Sequence, residues 1–280
     1  MNLITQDNGI YIFKKDEDNF ITFCPSRGGI ITKWVRNSEN ILYFDEDRFL
    51  NKSQSIRGGI PILFPICGSL CKSAFFGDNY IDLNQHGFAR DIVWQFAIDS
   101  EQRTLNLSLV SNQLTKKYYP FDFKLKIQLS FGVDSLEFKI VIENFSRKKM
   151  PINFGLHPYF NISTFKKIEF INHPLNCQNQ KNNTLELSDN LLTKISNGVD
   201  LLMYSHGELS FKDFGFNRKI TLINPYPFDL SVIWTDPPRK MICLEPWTSP
   251  RNSFIHGYRN INLLPSQIQI LKASIKVNNL

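Results

Sequence analysis

The sequence has few cysteines, no paired cysteine motif and no long apolar run. Its five cysteines form no C-x-x-C pair, and no histidine lies near Cys67 and Cys71 to complete a zinc site. We therefore expect reduced, buried thiols and no metal. No segment approaches the roughly 20 apolar residues of a membrane span, and the first residues lack the pattern of a signal peptide. These absences favour a soluble, cytoplasmic protein with no membrane partner.

The sequence also lacks the common nucleotide and nucleophile motifs. G-x-S-x-G, G-x-x-x-x-G-K-[ST] and G-x-G-x-x-G are all missing, so neither a serine hydrolase elbow nor a bound nucleotide cofactor is indicated. The net charge of +6 comes from short, scattered clusters such as 146–150. Two Arg-Gly-Gly triplets, at 27–29 and 57–59, run directly into apolar stretches, unlike the repetitive segments that bind RNA. We expect no nucleic-acid partner.

What the chain does contain is a recurring alternation of apolar and polar residues, typical of β-strands. Residues 123–131 and 136–142 both alternate and are separated by Gly-Val-Asp, which predicts a hairpin. Further strands are predicted at 105–109, 219–223, 230–234 and 268–277, and one short helix at 188–195. With no linker and no sustained helical stripe, the sequence predicts an all-β protein, a large antiparallel β-sandwich in a single domain spanning 1–280.

Four stretches interrupt this alternation with polar groups set among apolar or glycine-rich residues. They are "RGGIPILFP" at 57–65, "NQHGFAR" at 84–90, "FGLHPYF" at 154–160 and "ICLEPWTSP" at 242–250. Taken singly, each has a structural explanation: a histidine can be a satisfied core residue and a carboxylate can cap a turn. Glu245, however, follows an apolar strand end, where burial without a partner is costly.

Taken together, these residues suit acid–base chemistry on a sugar. A carboxylate in an apolar setting can acquire a pKa suited to a general base, and an imidazole exchanges protons near neutrality. Tryptophan and tyrosine faces, here including Trp247, suit the apolar CH faces of a sugar ring.

The four motifs "RGGIPILFP", "QHGFARDIVW", "GLHPYF" and "VIWTDPPRKMICLEPW", in this order, resemble those of the aldose 1-epimerase (galactose mutarotase-like) family. The resemblance covers nearly the whole chain, beginning at "SRGGIITKW". It implies a galactose mutarotase-like β-supersandwich with an open cleft on one sheet, no metal and no cofactor.

The resemblance also implies roles for individual residues. Glu245 matches the general base of the family, His157 its general acid, and His86 a second histidine that binds the sugar near its ring oxygen. Arg57 matches a substrate-binding arginine, which the glycines and prolines of its stretch would hold at the cleft. Asp200 loosely matches an aspartate that binds a sugar hydroxyl. Acid and base would act from opposite sides of the C1–O5 unit, opening the ring and closing it on the other face.

The substrate remains open between a free sugar and a sugar phosphate. "RGGIP" and "HGFAR" resemble the hexose-6-phosphate branch of the family, in which Arg57 and Arg90 would hold the phosphate; "HPYF" and "CLEPW" are closer to the free-sugar branch. We favour hexose 6-phosphate, since two guanidinium forks match a dianion. A noncatalytic sugar-binding protein and a glycoside hydrolase using Glu245 with Asp200 are the alternatives. The oligomeric state cannot be predicted.

Overall fold

Most of the protein is built from antiparallel sheets. The computed structural model describes residues 4–5, 9–51, 53–76, 79–204 and 207–280. Sheet I has, in spatial order, β16 (Ile168–Ile171), β20 (Glu208–Asp213), β21 (Arg218–Ile223), β25 (Ile268–Asn279), β12 (Ser135–Asn144), β11 (Phe123–Phe131), β10 (Thr104–Val110) and β9 (Gln95–Asp99). Sheet II has β18 (Thr184–Leu187), β17 (Asn176–Asn179), β19 (Asp200–Tyr204), β22 (Leu230–Trp234), β23 (Met241–Trp247), β14 (Gly155–Leu156) and β6 (Ile62–Leu63), with β15 (Tyr159–Asn161) also paired to β23.

Smaller elements complete the described chain. Sheet III contains β1 (Ile4–Thr5), β2 (Tyr11–Lys14), β3 (Phe20–Cys24), β4 (Ile30–Arg36) and β5 (Glu39–Asn40). Two further sheets have two strands each: β13 (Met150–Ile152) with β24 (Ile261–Leu263), and β7 (Ala74–Phe76) with β8 (Asn79–Ile81). The helices are α1 (Glu46–Leu50), α2 (Gln113–Tyr118), α3 (Ser188–Leu192) and α4 (Ser253–His256), and 3₁₀ turns lie at Pro25–Arg27, Ala89–Asp91, Phe165–Lys167 and Ile195–Asn197. Within the described residues, no helix has the length and apolarity that crossing a membrane requires.

The strands predicted from alternation are confirmed. β11 and β12 form the expected hairpin, with Leu129 opposite Phe138 and Ile127 opposite Ile140 on its buried face. Cross-strand pairs of this kind are what stabilise an antiparallel sheet. The short helix predicted at 188–195 is α3, which ends earlier, at Leu192.

The two large sheets face a common apolar core, which confirms the all-β sandwich. Phe160 of β15 meets Phe211 of β20 at a ring distance of 6.0 Å, and Phe64 lies 5.0 Å from Phe123 of β11. Such tilted and edge-on contacts are the favoured arrangements of aromatic rings. The abundant phenylalanines of the sequence thus fill the space between the layers.

Strand β23 has a second face, which carries polar side chains. Ile242 and Leu244 join the main core, whereas Cys243, Glu245 and Trp247 alternate with them and point to the other side of sheet II. Glu245 therefore lies inside a strand, and the expectation that it follows a strand end was wrong.

The cysteines are unpaired in the described structure. Four of them are buried, as expected, but Cys71 is exposed, so the expectation of buried thiols fails at that position.

Candidate active site

Strand register brings the predicted acid and base together. Gly155 of β14 pairs with Trp247 of β23, and Tyr159 of β15 pairs with Cys243. His157 lies midway between Gly155 and Tyr159, and Glu245 lies midway between Trp247 and Cys243. His157 therefore stands across from Glu245. Directly opposite residues of an antiparallel pair have Cβ atoms about 4.5–5.5 Å apart and project to the same face. Strand pairing thus brings the histidine of "FGLHPYF" next to the glutamate of "CLEPW".

The "RGGIP" stretch supports this contact from the other side. The backbone N–H of His157 donates to the carbonyl of Pro61 at 3.0 Å, and that of Tyr159 donates to the carbonyl of Gly59 at 2.9 Å. Gly59 has φ +67°, and a Cβ there would lie 2.3 Å from the carbonyl oxygen of Ile31. The absence of a side chain therefore allows the close approach to Ile31, while the carbonyl of Gly59 holds Tyr159, which lines the cleft.

His157 and Glu245 are buried and touch each other. The Nε2 atom of His157 lies 3.3 Å from Oε1 of Glu245, and the two residues are 8% and 1% exposed. The two side chains thus lie side by side. Between them there is no gap that could hold a C1–O5 unit, contrary to the expectation that they act from opposite sides of it. The His157 ring also stacks on Tyr159, at 4.7 Å between ring centres.

Burial works against charge on both members of this pair. It lowers the pKa of His157 to about 3, an effect that the nearby guanidinium groups of Arg90 and Arg57 reinforce. Burial also raises the pKa of Glu245 well above its ordinary value, and the carboxylate of Asp200 adds to that rise. Burial therefore favours the neutral form of both groups, with a proton on Glu245 and none on Nε2 of His157 that faces it.

Trp247 is a hydrogen-bond partner of Glu245. Its indole Nε1–H donates to Oε2 of Glu245 at 3.0 Å, from two residues further along the same face of β23. This bond lowers the pKa of Glu245, in opposition to burial. Trp247 is 1% exposed. Its contact with Glu245 is a function that the sequence reasoning, which assigned Trp247 to the sugar, did not foresee.

His86 presents one protonated nitrogen to the cleft. The backbone N–H of Gly68 donates to Nδ1 of His86 at 3.1 Å, so the ring proton resides on Nε2. Burial, together with His157 and Arg90, lowers the pKa of His86 well below its ordinary value and keeps it neutral. Its ring lies 5.5 Å from that of His157 and 5.8 Å from that of Trp247. Nε2–H is therefore a neutral donor beside the catalytic pair.

Two arginines border the same cleft. The guanidinium of Arg57 stacks on Trp234, 5.4 Å from the ring centre, and its Nε lies 3.6 Å from Asp236. Arg90 is anchored through Nη2, which donates to the carbonyl of Gln85 at 2.8 Å. Arg57 also donates to the carbonyl of Ile56 at 3.4 Å, and Nε of Arg90 lies 4.0 Å from Asp91. Each guanidinium has further N–H donors, so the two together can bind an anion.

Asp200 reaches the cleft but is already engaged. Its Oδ2 accepts a hydrogen bond from Arg251 Nη2 at 2.6 Å and its Oδ1 accepts one from Gln180 Nε2 at 2.8 Å. Arg251, which the sequence reasoning missed, lies 51 residues away in the chain. Direct binding of a sugar hydroxyl by Asp200 would have to share or displace these partners.

All seven residues singled out from the sequence line one cavity of about 240 Å³: Arg57, His86, Arg90, His157, Asp200, Glu245 and Trp247. The sequence reasoning missed Tyr159, Trp234 and Arg251, which also line it. Tyr159 and Trp234 stand inside two of the quoted motifs, so the sequence did contain a signal for them. Arg251 follows "CLEPWTSP" in a loop, where no pattern distinguishes it from a solvated arginine.

Two cavity residues and the buried Cys243 beside them form a set of side chains close enough together to hold a metal ion. The ligand atoms of His157, Cys243 and Glu245 lie within 4.8 Å of one another, and imidazole, thiolate and carboxylate are the ligands that zinc accepts. Binding there would occupy both members of the acid–base pair, so an ion at this position would compete with proton transfer.

Comparisons with known proteins point to one family. The model of the aldose 1-epimerase family matches residues 15–266. A curated relative from Cenchrus ciliaris, named "Putative glucose-6-phosphate 1-epimerase", is 27% identical over 153 residues, which are 50% of this chain and 44% of that one. The match thus spans less than half of that relative's length.

Solved structures extend the likeness to the whole fold. The Slr1438 protein from Synechocystis sp. PCC 6803 superposes with a TM-score of 0.93 at 30% identity, covering 100% of this chain and 99% of that one. A galactose mutarotase-like protein from Lactobacillus casei gives a TM-score of 0.79 at 19% identity, covering 96% and 100% of the two chains. Because the family model spans most of the sequence, this chain belongs to the aldose 1-epimerase family.

Proposed function

We propose that this protein is a mutarotase that interconverts the α and β anomers of an aldohexose by acid–base ring opening, with hexose 6-phosphate as its favoured substrate. The observation that carries the proposal is the buried contact of 3.3 Å between His157 and Glu245 in a polar cleft. Family membership supports an isomerase of this type.

The single proton of the pair fits both halves of the reaction. In ring opening, Glu245 takes the proton of the anomeric hydroxyl while His157 gives its proton to the ring oxygen. The pair then holds its one proton on Glu245 and a neutral His157, which is the state that burial favours. After rotation about C1–C2, Glu245 returns the proton to the former carbonyl oxygen and His157 removes one from the C5 hydroxyl. The number of protons on the pair is unchanged over the cycle.

The pair must be primed before opening begins. Transfer of the proton from Glu245 to His157 across the 3.3 Å contact gives the carboxylate and imidazolium that ring opening needs. Because the two groups touch, the sugar lies over them, with O1 and O5 each facing one group. Each proton transfer contributes roughly 10²–10⁴-fold to the rate.

The phosphate preference rests on Arg57 and Arg90. Both guanidinium groups border the cleft, and both are close enough to His157 to lower its pKa. A phosphate dianion between them would gain charge-assisted hydrogen bonds, and His86 Nε2–H offers a further donor. The name of the relative from Cenchrus ciliaris points to the same substrate.

A glycoside hydrolase receives less support from the geometry. That reaction needs a second carboxyl group as nucleophile or base, and Asp200 is the candidate in this cleft. Both of its oxygens are engaged by Arg251 and Gln180. Incubation with a nitrophenyl glycoside tests the alternative directly, and release of nitrophenol would favour it.

Anomer exchange measured by NMR tests the proposal. Glucose, galactose and glucose 6-phosphate are offered at neutral pH, and the spontaneous rate is subtracted. We expect acceleration that is greatest for glucose 6-phosphate, and a loss of at least roughly 100-fold in Glu245→Gln. Near-full activity in that variant would refute the role of Glu245, and faster exchange of the free sugars would refute the phosphate preference. Sugar binding without any exchange would favour a noncatalytic sugar-binding protein.

A further inference from the structure

Arg57 lines the cleft, but it is held by groups that lie behind the cleft wall. Its guanidinium stacks on Trp234, which shares the polar face of sheet II with Glu245 because Trp234 pairs with Cys243 of β23. Nε of Arg57 is buried, and Oδ2 of Asp236 lies 3.6 Å from it. Asp236 is not among the described residues that line the cleft. The carboxylate therefore contacts the arginine from the side away from the substrate.

The turn between β22 and β23 fixes the position of Asp236. Trp234 ends β22, Asp236 follows two residues later, and the prolines at 237 and 238 come next. The backbone N–H of Arg239 donates to the carbonyl of Asp236 at 3.1 Å, and Nη1 of Arg239 donates to Oδ2 of Asp236 at 2.9 Å. Because proline restricts φ, this turn leaves the carboxylate little freedom. Oδ2 of Asp236 thus lies between the guanidinium groups of Arg57 and Arg239.

Asp45 connects these charges back to the main chain of Arg57. Its Oδ2 lies 3.6 Å from Nε of Arg239, and its Oδ1 accepts the backbone N–H of Arg48, which caps α1. The backbone N–H of Asp45 donates to the carbonyl of Arg57 at 2.9 Å. The contacts form a closed ring that runs from the main chain of Arg57 through Asp45, Arg239 and Asp236 to the side chain of Arg57. Both ends of this arginine are therefore tied to one network.

The network has the properties that make ion pairs effective in ordering a side chain. Its two arginines and two aspartates alternate in sign, and their side chains are only 19–33% exposed. Isolated exposed pairs contribute little, whereas several charges in a network restrict one another. An arginine that is ordered before the substrate arrives removes an entropy cost that binding would otherwise carry. The ring is therefore suited to hold Arg57 ready in the empty cleft.

We propose that Asp236 is a positioning residue that holds Arg57 over Trp234 in the pose that binds the substrate, and that Arg239 and Asp45 hold Asp236 in turn. The proposal rests on the mutarotase function proposed above and adds to it a residue outside the cleft. A carboxylate that only neutralised Arg57 would weaken the binding of an anion, so its removal would tighten that binding. A positioning carboxylate has the opposite effect, and its removal weakens binding.

Anomer exchange of glucose 6-phosphate, measured by NMR, tests the sign of the effect. Asp236→Asn should raise KM by roughly fivefold and leave kcat within about twofold, because binding depends on the pose of Arg57 and proton transfer does not. Asp236→Glu keeps the carboxylate and should recover most of the loss. The matched control is Asp134→Asn, since Asp134 pairs with Arg36 at 2.6 Å away from the cleft; it should change neither constant. A lower KM in Asp236→Asn would overturn the proposal.

A double-mutant cycle shows whether Asp236 acts through Arg57. Arg57→Ala alone should raise KM for glucose 6-phosphate, and adding Asp236→Asn to this variant should raise it no further. An equal rise in KM in both backgrounds would mean that the substitution disturbs the turn in general, and the positioning role would then be wrong while the mutarotase function stands.

The NMR signal of the Arg57 Nε–H separates the two proposals, because it needs neither sugar nor turnover. The signal is identified by its loss in Arg57→Ala, and its exchange with water is measured in the unliganded protein. Because Nε is buried beside Asp236, we expect exchange to be roughly fivefold faster in Asp236→Asn and unchanged in Asp134→Asn. Unchanged exchange in both variants would refute the positioning role. Faster exchange in a protein that accelerates no anomer exchange would support that role and refute the mutarotase function.

Discussion

The hydrogen bond from Trp247 to Glu245 gives the sharpest test of the proposed chemistry. Trp247→Phe keeps an aromatic ring at this position but removes the Nε1–H that donates to Oε2 of Glu245 at 3.0 Å. A hydrogen bond to a charged group contributes about 1.5–3 kcal/mol, and it favours the carboxylate over the neutral acid. We therefore expect the pKa of Glu245 to rise further, and each 1.4 kcal/mol of lost stabilisation makes the carboxylate about tenfold scarcer.

The expected consequence is a displaced pH profile. The transfer of the proton from Glu245 to His157 becomes less favourable, so kcat/KM for anomer exchange at neutral pH falls by roughly 10- to 100-fold. The pair also loses its single proton at a higher pH, so the alkaline decline of the profile moves to higher pH. The assay measures exchange from pH 6 to 9 and subtracts the spontaneous rate at each pH.

Trp94→Phe provides the matched control. Trp94 is also buried, and its Nε1–H donates to the carbonyl of Ala89 at 2.8 Å, but it does not line the cleft. This variant should lose stability through the same change in ring size and hydrogen bonding, with no shift in the pH profile. If Trp247→Phe lowers the rate uniformly at every pH, as a packing defect would, the reasoning about the base is refuted.

Three further predictions follow from the groups around this pair. Between pH 6.5 and pH 5, His157 should lower the free energy of unfolding by about 1.7 kcal/mol, because the unfolded chain protonates a ring that the native protein keeps neutral down to about pH 3. Urea unfolding measures this as the difference between the protein and His157→Asn, since Glu245 contributes in the opposite direction in both, and an equal pH dependence of the two would contradict it. Asp200→Asn removes a carboxylate that raises the pKa of Glu245, so its pH profile should move to lower pH, opposite to Trp247→Phe, and an upward shift would refute the assignment. Zn²⁺ should inhibit exchange reversibly and less strongly in Cys243→Ala than in the control Cys71→Ala, whereas equal inhibition of both would exclude the thiol as a ligand.

The long strands were predictable because alternation is a local signal. Residues 123–131 bury every second side chain against the core, and the sequence alone gives that strand its observed bounds. The short strands of sheet II carry no such signal. β14 has two residues and β6 has two, and both are buried on every side, so their sequences show no alternation to read.

The candidate site was predictable to the extent that its residues stand in recognisable motifs. The sequence offered Glu245 and His157 as a pair, and their contact follows from the pairing of two strands. It offered Asp200 as a free carboxylate, whereas Arg251 neutralises it. That ion pair joins a strand residue to a loop residue 51 positions away, and only the folded chain brings the two together.

The register between β14–β15 and β23 determines which side chains meet at the site. The contact between Gly155 and the large indole of Trp247 sets that register. Gly155 stands opposite Trp247, where a Cβ would lie 2.9 Å from the indole Cδ1, so only glycine leaves room for the ring. A slip of one residue would place Phe154 or Leu156 against Trp247 and would turn His157 away from Glu245. Glu245 would then be a buried carboxyl without its imidazole, at a cost of several kcal/mol. The bulk of the indole thus favours the register in which His157 and Glu245 meet, while its N–H donates to Glu245.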